Sequence, residues 1–316
     1  MKISIVMATY NGERYVKEQI ESLFNQTRPA DEVLIFDDGS TDDTRQIIEG
    51  FIHINQLESK WQLIKNTTNK GCVKNFLDGA EKASGDIIFY SDQDDVWDTR
   101  KIELMEQGFY KYPDMKACYC LRYYVDANMN AIPMRFEFMT NVKKRSEDFQ
   151  KISLREAVKY NKSPGLCLAV KKELISETRS LIIDNGLTHD LPIGTVAAVY
   201  DGYYVLNRKL VYYRQHGKNL SAARIDIQSR LSRIDEQIQG RQVRYKQMVA
   251  IYEKYSKVLS DDNAREFRRA ISDTEESISC LKNRRLGKLF LALFNTNPMM
   301  NRWIAVNNFL ACIRSK

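Results

Sequence analysis

Three carboxylates stand close together in the run Asp92-Gln93-Asp94-Asp95, directly after an apolar stretch over 86–90 that indicates a buried strand. Negative charges in so small a volume repel one another unless a cation offsets them. Carboxylate oxygens suit Mg²⁺ or Mn²⁺, which commonly bridge to phosphate oxygens. The alternative is a solvated acidic turn that Trp97 anchors to the core. The run therefore predicts a metal and phosphate site, weighed against a plain surface turn.

The chain before this run alternates between strand and helix patterns. Predicted strands cover 3–7, 32–36, 61–65 and 86–90, and predicted helices cover 13–24, 41–51 and 72–83. Ser40 or Thr41 is expected to cap the second helix. Such alternation predicts a parallel sheet with helices on both faces and ligands beyond the carboxyl ends of the strands. Three polar turns should therefore meet at one edge, namely 8–11, 36–40 and 91–95.

The patterns after residue 100 are less regular. We predict helices over 101–112, 153–160 and 172–180, and strands over 115–125, 165–171 and 205–213. A loop is expected over 130–150, and another around His189 and Asp190. From about residue 221 the spacing becomes that of long helices, with a break at 261–263.

Composition narrows the class of protein. With 316 residues, of which 43% are hydrophobic, the chain fits a soluble globular protein of one or two domains. The first residues are too quickly polar for a signal peptide, and no apolar run approaches the roughly 20 residues of a membrane span. The six cysteines lack paired spacing, which predicts reduced thiols in the cytoplasm.

Charge separates the two ends of the chain. Residues 222–316 carry 18 Lys and Arg against 10 Asp and Glu, and no acidic residue follows Glu276. We therefore predict a first domain over 1–221 and a basic helical region over 222–316.

Eight short runs share the order and spacing of motifs in one enzyme family. They are Ile5–Gly12, Ser22–Thr27, Asp37–Asp42, Asn69–Gly71 with Asn75-Phe76, the acidic run with His189-Asp190, and Tyr213–Gly217. Together they resemble the inverting family 2 glycosyltransferases over about residues 1–220. The resemblance implies an α/β chain with the GT-A fold, a Rossmann-like nucleotide-diphospho-sugar transferase domain, followed here by a C-terminal helical extension.

The resemblance assigns a nucleotide site to the first turns. Asp38 would hydrogen-bond the donor's pyrimidine base, and the turn Ala8-Thr9-Tyr10 would flank that base through backbone contact and stacking. Lys70 would neutralise phosphate charge. The alternatives are a helix-terminal charge for Asp38, core packing for Tyr10 and a solvated surface position for Lys70.

The same resemblance places Asp92 against the ribose and Asp94 on a Mn²⁺ or Mg²⁺ ion, with Asp95 as the alternative metal ligand. The ion would stabilise the departing diphosphate. Arg214 would contact that diphosphate. His216 would bind the metal or a phosphate, or would be purely structural.

Asp190 is the expected general base, because inverting transfer needs one carboxylate to deprotonate the attacking hydroxyl and needs no covalent intermediate. The alternative is a loop carboxylate or helix cap. Relatives often follow His-Asp with aromatic residues, whereas this chain has Leu191-Pro192-Ile193, which changes how an acceptor could stack.

The acidic run and Tyr213–Gly217 look most like rhamnosyltransferase-type members of bacterial polysaccharide synthesis, such as capsule or O-antigen assembly. They imply dTDP-rhamnose as the donor, with UDP-hexoses open, and a polyprenyl-diphosphate-linked acceptor. The basic, apolar tail favours a peripheral site at the inner face of the cell membrane. Its alternatives are packing on the first domain or a homodimer interface.

Three other classes remain as alternatives. A nucleotidyltransferase would be expected to carry a Gly-rich phosphate loop, which the turn over 8–12 is not. A non-catalytic nucleotide-sugar binding module could have lost any of Asp38, Asp94 and Asp190, which are all present. A nucleic-acid binder ranks last, because the basic tail lacks a motif with interleaved stacking aromatics.

Overall fold

The computed structural model describes residues 1–132, 148–159, 165–186, 188–216 and 234–282. The chain divides into two compact units. The first comprises Met1–Ala157 and Asn161–Gln215, and the second Val158–Tyr160 and His216–Lys316.

The first unit is built on one mixed sheet of nine strands. The strands are β1 (Ile3–Thr9), β2 (Glu32–Asp37), β3 (Trp61–Lys65), β4 (Ile87–Ser91), β5 (Val96–Trp97), β6 (Ala117–Val125), β7 (Phe149–Lys151), β8 (Leu168–Lys171) and β9 (Tyr203–Arg214). Their spatial order is β3-β2-β1-β4-β8-β6-β9-β5, and β7 pairs with β9. An α/β class is thereby confirmed.

Helices separate and flank these strands. They are α1 (Val16–Phe24), α2 (Thr44–Ile54), α3 (Cys72–Lys82), α4 (Lys101–Lys111), α5 (Leu154–Lys159), α6 (Lys172–Asp184) and α7 (Asp190–Val199). The central strands β1 and β4 are mostly apolar and almost entirely buried, because they are covered on both faces, as in other helix-layered sheets. Ile5, Val6 and Phe89, for example, are completely buried.

The parallel sheet predicted from the first four strands is confirmed for β1 to β4, and the strands beyond them, whose direction was not predicted, make the sheet mixed. β8 runs antiparallel to β4 and β6, and β5 and β7 run antiparallel to β9. Because β8 is antiparallel to both of its neighbours, β6 runs in the same direction as β4 and β1, and β9 runs parallel to β6. The carboxyl ends of β1, β2, β4, β6 and β9 therefore lie at the same edge of the sheet.

Two local predictions are also wrong. Asp190 begins a helix rather than lying in a loop; Pro192 is tolerated there because the first helical turn has no intrahelical partners for its N–H groups. Neither Ser40 nor Thr41 caps α2, which begins at Thr44. The Ser40 hydroxyl instead donates to the carboxylate of Asp37.

The second unit contains the helices α8 (Ile234–Tyr255) and α9 (Asp261–Lys282). The expected break between the long helices is present, but it lies over 256–260 rather than 261–263, because α9 already starts at Asp261. Asp261 and Asp262 interact favourably with the positive end of the helix dipole. Tyr252 packs on Phe267 with ring centroids 5.7 Å apart. Among the described helices none is long and apolar enough to cross a membrane. The tail after Lys282 lies outside the described residues.

Candidate active site

The turn after β1 meets the acidic loop, which we define as residues 92–95 between β4 and β5. The side-chain amide of Gln93 accepts from the backbone N–H of Tyr10 at 2.8 Å and donates to the Tyr10 carbonyl at 3.0 Å. A Cβ on Gly12 would stand only 2.2 Å from Gln93 Oε1. Glycine at this position therefore leaves room for the Gln93 side chain.

The β1 turn offers a ring to a ligand. Tyr10 is 47% exposed, so the core-packing alternative is wrong for it. Ala8 is half-buried beside it. Thr9 is buried, and its hydroxyl donates to Asp37 at 3.0 Å. The side chain of Thr9 thus supports the turn, while the ring of Tyr10 is available for stacking.

Asp37 is the most enclosed carboxylate at the end of β2, although the sequence pointed to its neighbour. It accepts hydrogen bonds from the hydroxyls of Thr9 and Ser40, the Ser40 backbone and the Arg45 guanidinium. Burial acts to raise its pKa, but the bonds from Ser40 and Arg45 outweigh burial and lower the pKa. Asp37 therefore stays ionised as the anchor of this turn.

Asp38 is also buried, at 3% exposure, and ties down the loop before α3. Its carboxylate accepts from Asn66 Nδ2 at 3.1 Å and from the backbone N–H groups of Lys70 and Gly71 at 2.7 and 2.8 Å. The Lys70 side chain lies 3.6 Å from Asp78. A base-binding role for Asp38 and a phosphate role for Lys70 stay predictions.

The acidic loop holds its charge at a high electrostatic cost. Burial, followed by the charges of Asp94 and Asp190, raises the pKa of Asp92 to about 7. Asp95 is fully buried; burial and then Asp94 raise its pKa well above the usual range. Asp95 Oδ1 accepts from the Arg214 backbone at 3.1 Å, whereas its buried Oδ2 has no partner. This is the crowding that a bound cation would relieve.

Arg214 clamps the loop from β9. Its Nε donates to the Asp94 carbonyl at 2.9 Å, Nη1 donates to the Ala127 carbonyl at 3.1 Å, and Nη2 pairs with Glu18. The side chain is 2% exposed and covers the ring of Tyr15. These contacts indicate a positioning role in the structure, and the expected diphosphate contact stays a prediction.

Lys101 is a second buried cation at this site, and no sequence pattern pointed to it. It is fully buried, its Nζ donates to the Leu166 carbonyl at 2.7 Å, and it lies 3.3 Å from the centroid of the Trp97 ring. Burial lowers the pKa of Lys101 to about 8, although the carboxylates of Asp95 and Asp92 act to raise it. Lys101 therefore supplies positive charge to the acidic loop from inside the protein.

The expected base lies close to the acidic loop. Asp190 is half-buried at the start of α7, and its charge contributes to the raised pKa of Asp92. Before it, His189 is buried between the rings of Phe76 and Tyr90, at 4.7 and 4.8 Å between centroids. That packing fixes the backbone from which Asp190 projects. His216 belongs to the second unit, where it is half-buried, and its metal role stays a prediction.

The comparison with protein families follows this geometry. The profile of glycosyl transferase family 2 matches residues 4–163, about half of the chain. The chain belongs to this family. It is a glycosyltransferase, as the motifs of the first 220 residues implied.

Two curated relatives have informative names. This glycosyltransferase is 28% identical over 244 residues to the dTDP-rhamnosyl transferase RfbG of Shigella flexneri, covering 72% of this chain and 78% of the relative. It is 33% identical over 102 residues to the glucosyltransferase WfgD of Escherichia coli, covering 32% and 38%. The printed name of WfgD gives UDP-Glc as donor and a GlcNAc-diphosphoundecaprenol as acceptor.

A solved structure shares the fold. The mannosyltransferase PcManGT of Pyrobaculum calidifontis, in complex with GDP-Man and Mn²⁺, aligns with a TM-score of 0.56 at 17% identity. The alignment covers 99% of this glycosyltransferase and 86% of PcManGT. Together with the family match, it confirms the GT-A fold.

The residues present could hold a divalent cation whose coordination is completed by oxygen atoms of a ligand. Within the described ranges no three His, Cys, Asp or Glu side chains form a ready metal cage. The unpartnered Asp95 Oδ2 and the crowded carboxylates of Asp92 and Asp94 nevertheless offer hard oxygen donors. Asp94, or Asp95 as the alternative, would hold the ion, together with phosphate oxygens of a donor.

Proposed function

We propose that this chain is a metal-dependent inverting glycosyltransferase. It transfers a sugar from a nucleotide-diphospho-sugar, dTDP-rhamnose or a UDP-hexose, to a glycan acceptor carried on a polyprenyl diphosphate. The product belongs to bacterial surface polysaccharide synthesis. The names of RfbG and WfgD support this donor and acceptor chemistry.

One observation carries the proposal. The charge of Asp190, at the start of α7, acts on Asp92 in the acidic loop after β4. Inverting transfer needs a diphosphate-binding group and a general base on opposite sides of one sugar. Asp190 and the acidic loop are our candidates for these two groups, and the acidic loop follows β4 at the carboxyl edge of the sheet, where α/β folds bind their ligands.

Each residue then has one task in the reaction. Tyr10 stacks on the base, and Asp38 bonds to its edge. Asp92 orients the ribose, and Asp94 holds the cation, with Asp95 as the alternative. A bound Mn²⁺ or Mg²⁺ would offset the negative charge of the diphosphate as it leaves. Asp190 takes the proton of the acceptor hydroxyl as that oxygen attacks the anomeric carbon.

The basic C-terminal region is proposed to hold the enzyme at the inner membrane face, where a polyprenyl-linked acceptor would be found. Lys282, Arg284, Arg285 and Lys288 precede the apolar run 289–294, a combination that favours anionic lipid surfaces. Deleting residues 283–316 should reduce binding to anionic liposomes in a flotation assay. Unchanged flotation would instead favour packing of this region on protein.

Calorimetric titration with dTDP, UDP and GDP, each with and without Mn²⁺, tests the proposed function. We expect Mn²⁺-dependent binding of dTDP or UDP, which Asp94→Ala should weaken. Asp86→Ala is the matched control, because Asp86 lies at the opposite end of β4 and bonds the Lys2 backbone. Binding of none of the three nucleotides would contradict the proposal, and normal binding by Asp94→Ala would move the metal elsewhere.

A further inference from the structure

Arg122, on β6, is a cation without an acidic partner. Its Nη2 donates to the Tyr124 hydroxyl at 2.6 Å, and its buried Nε has no partner. Within the described part of the chain, the groups that act on its charge are the thiol of Cys167 and the hydroxyls of Tyr124 and Tyr213. Arg122 also interacts with the Cys167 thiol through a hydrogen bond and its charge, but no carboxylate of the described residues offsets that charge. An anion bound at the half-buried guanidinium would supply the missing counter-charge.

Two aromatic rings frame this guanidinium. Its Cζ lies 5.0 Å from the ring centroid of Tyr124 and 5.4 Å from that of Tyr213. The two rings meet edge to face, 5.7 Å apart, on neighbouring strands. Contact with the two rings restricts the rotamers of Arg122, so that the side chain loses little conformational freedom when a ligand binds.

The position of Arg122 connects it to the active site. Tyr124 and Tyr213 are paired one residue before the ends of β6 and β9, at the edge that carries the acidic loop. Cys167 acts on the charge of Arg122 and also on those of Asp92 and Asp95. Arg122 therefore borders the same site, yet it forms no ion pair with the loop.

We propose that Arg122 is a phosphate-binding residue of this enzyme and that its ligand is a diphosphate group. The planar guanidinium suits two phosphate oxygens at once. It is half-buried, so the side chain is not sealed from a ligand. The proposal rests on the proposed function, which brings two diphosphates to this edge, one on the donor and one on the acceptor.

Inorganic pyrophosphate is the probe, titrated calorimetrically into the full chain in metal-free buffer with chelator. The variants are Arg122→Met and Arg122→Lys, and the control is Arg208→Met. Arg208 lies on β9 and forms an exposed pair with Asp148, outside the site. We expect Arg122→Met to weaken pyrophosphate binding at least about tenfold, as for loss of one charge-assisted contact. Arg122→Lys should recover part of it, and Arg208→Met should match the wild type.

Failure takes a distinct form. Pyrophosphate affinity unchanged in Arg122→Met, or no pyrophosphate binding by the wild type, overturns the assignment. If Arg122→Met does not fold by circular dichroism, the comparison of Arg122→Lys with the wild type decides: equal affinity for pyrophosphate would also overturn it. Pyrophosphate binding without any nucleotide binding would leave Arg122 in place and refute the proposed function instead.

A competition arm identifies which diphosphate Arg122 holds. The titration is repeated with the protein saturated by dTDP or UDP and Mn²⁺, whichever nucleotide binds. Loss of pyrophosphate binding to the saturated protein assigns Arg122 to the donor diphosphate. Simultaneous binding, still sensitive to Arg122→Met, assigns it to the diphosphate of the acceptor. Simultaneous binding that Arg122→Met leaves unchanged overturns the proposal.

Discussion

The turn after β2 and the acidic loop after β4 carry similar numbers of carboxylates and stabilise them in opposite ways. Asp37 and Asp38 accept bonds from hydroxyls, backbone N–H groups and Arg45, all within the first 71 residues of the chain. The acidic loop depends on Arg214, which is 119 residues from Asp95, and on the buried Lys101. The carboxylates of the β2 turn are fully hydrogen-bonded, whereas those of the acidic loop repel one another and have raised pKa values.

Substitution of Asp190 should have the largest effect, and it should lower transfer activity while leaving nucleotide binding intact. Asp190→Asn should lower transfer about 10²–10⁴-fold, the usual contribution of a general base. Nucleotide affinity should persist, because the β2 turn is untouched and one charge that crowds Asp92 has been removed. Activity assays and calorimetry on the same preparation test both effects.

Asp184→Asn, on the exposed end of α6, serves as the control and should transfer normally. Turnover by Asp190→Asn at the wild-type rate would exclude Asp190 as the base.

Arg214 tests whether distant cations hold the acidic loop. Arg214→Met should lower the free energy of unfolding by about 4 kcal/mol, because it removes a buried ion and leaves two carbonyls unpaired. Arg208→Met, on the same strand but 57% exposed, should change it by less than about 1 kcal/mol. Urea unfolding followed by circular dichroism measures both. Equal effects would mean that the clamp contributes no more than a surface pair.

The sequence predicted one region better than the other for a physical reason. Strands β1 to β4 alternate with helices in a regular pattern, so the motif of the β2 turn and its place at the sheet edge could be predicted. The roles of Arg214 and Lys101 depend on contacts with Glu18 and Leu166, far away in the chain. Strand β8 was predicted but not its antiparallel direction, and helix α7 was missed, because short apolar runs do not distinguish strand direction or helix from loop.

Gln93 could have been found from the sequence. It is the one amide within a run of aspartates, and an uncharged side chain there needs another purpose than metal binding. Its two bonds to Tyr10 connect the acidic loop to the β1 turn. Buried cations such as Lys101 have no comparable local signal, since their surroundings are created by the fold.

The pH dependence of the unfolding free energy tests the role of Lys101 beside the acidic loop. Burial lowers its pKa from 10.5 to about 8, so between these values the unfolded chain binds the extra proton and stability rises with pH. As pH falls from about 10.5 to 8, the free energy of unfolding of the wild type should decrease by about 3 kcal/mol relative to that of Lys101→Met. Methionine at this position cannot titrate. Unfolding free energies at pH 7, 8, 9 and 10 test this.

Lys101→Arg is the control for the charge, because arginine stays protonated throughout this range and should gain no stability as pH rises. If the difference in unfolding free energy between the wild type and Lys101→Met did not vary with pH, Lys101 would not be a buried ammonium group that titrates in this range.

Asp37 gives the smallest expected effect and tests the self-contained region. Asp37→Asn should cost about 2 kcal/mol of unfolding free energy, because it weakens charge-assisted bonds from Ser40 and Arg45. The pKa of Asp37 is lowered, so its stabilisation is present above pH 3.8 and is lost as pH falls through the folded pKa. The unfolding free energies of the wild type and Asp37→Asn should therefore converge in acid.

Asp38→Asn is the matched variant, and it should reduce nucleotide affinity more than Asp37→Asn does. If Asp37→Asn reduced nucleotide affinity more, the base would be bound by Asp37, and the two adjacent carboxylates would exchange roles.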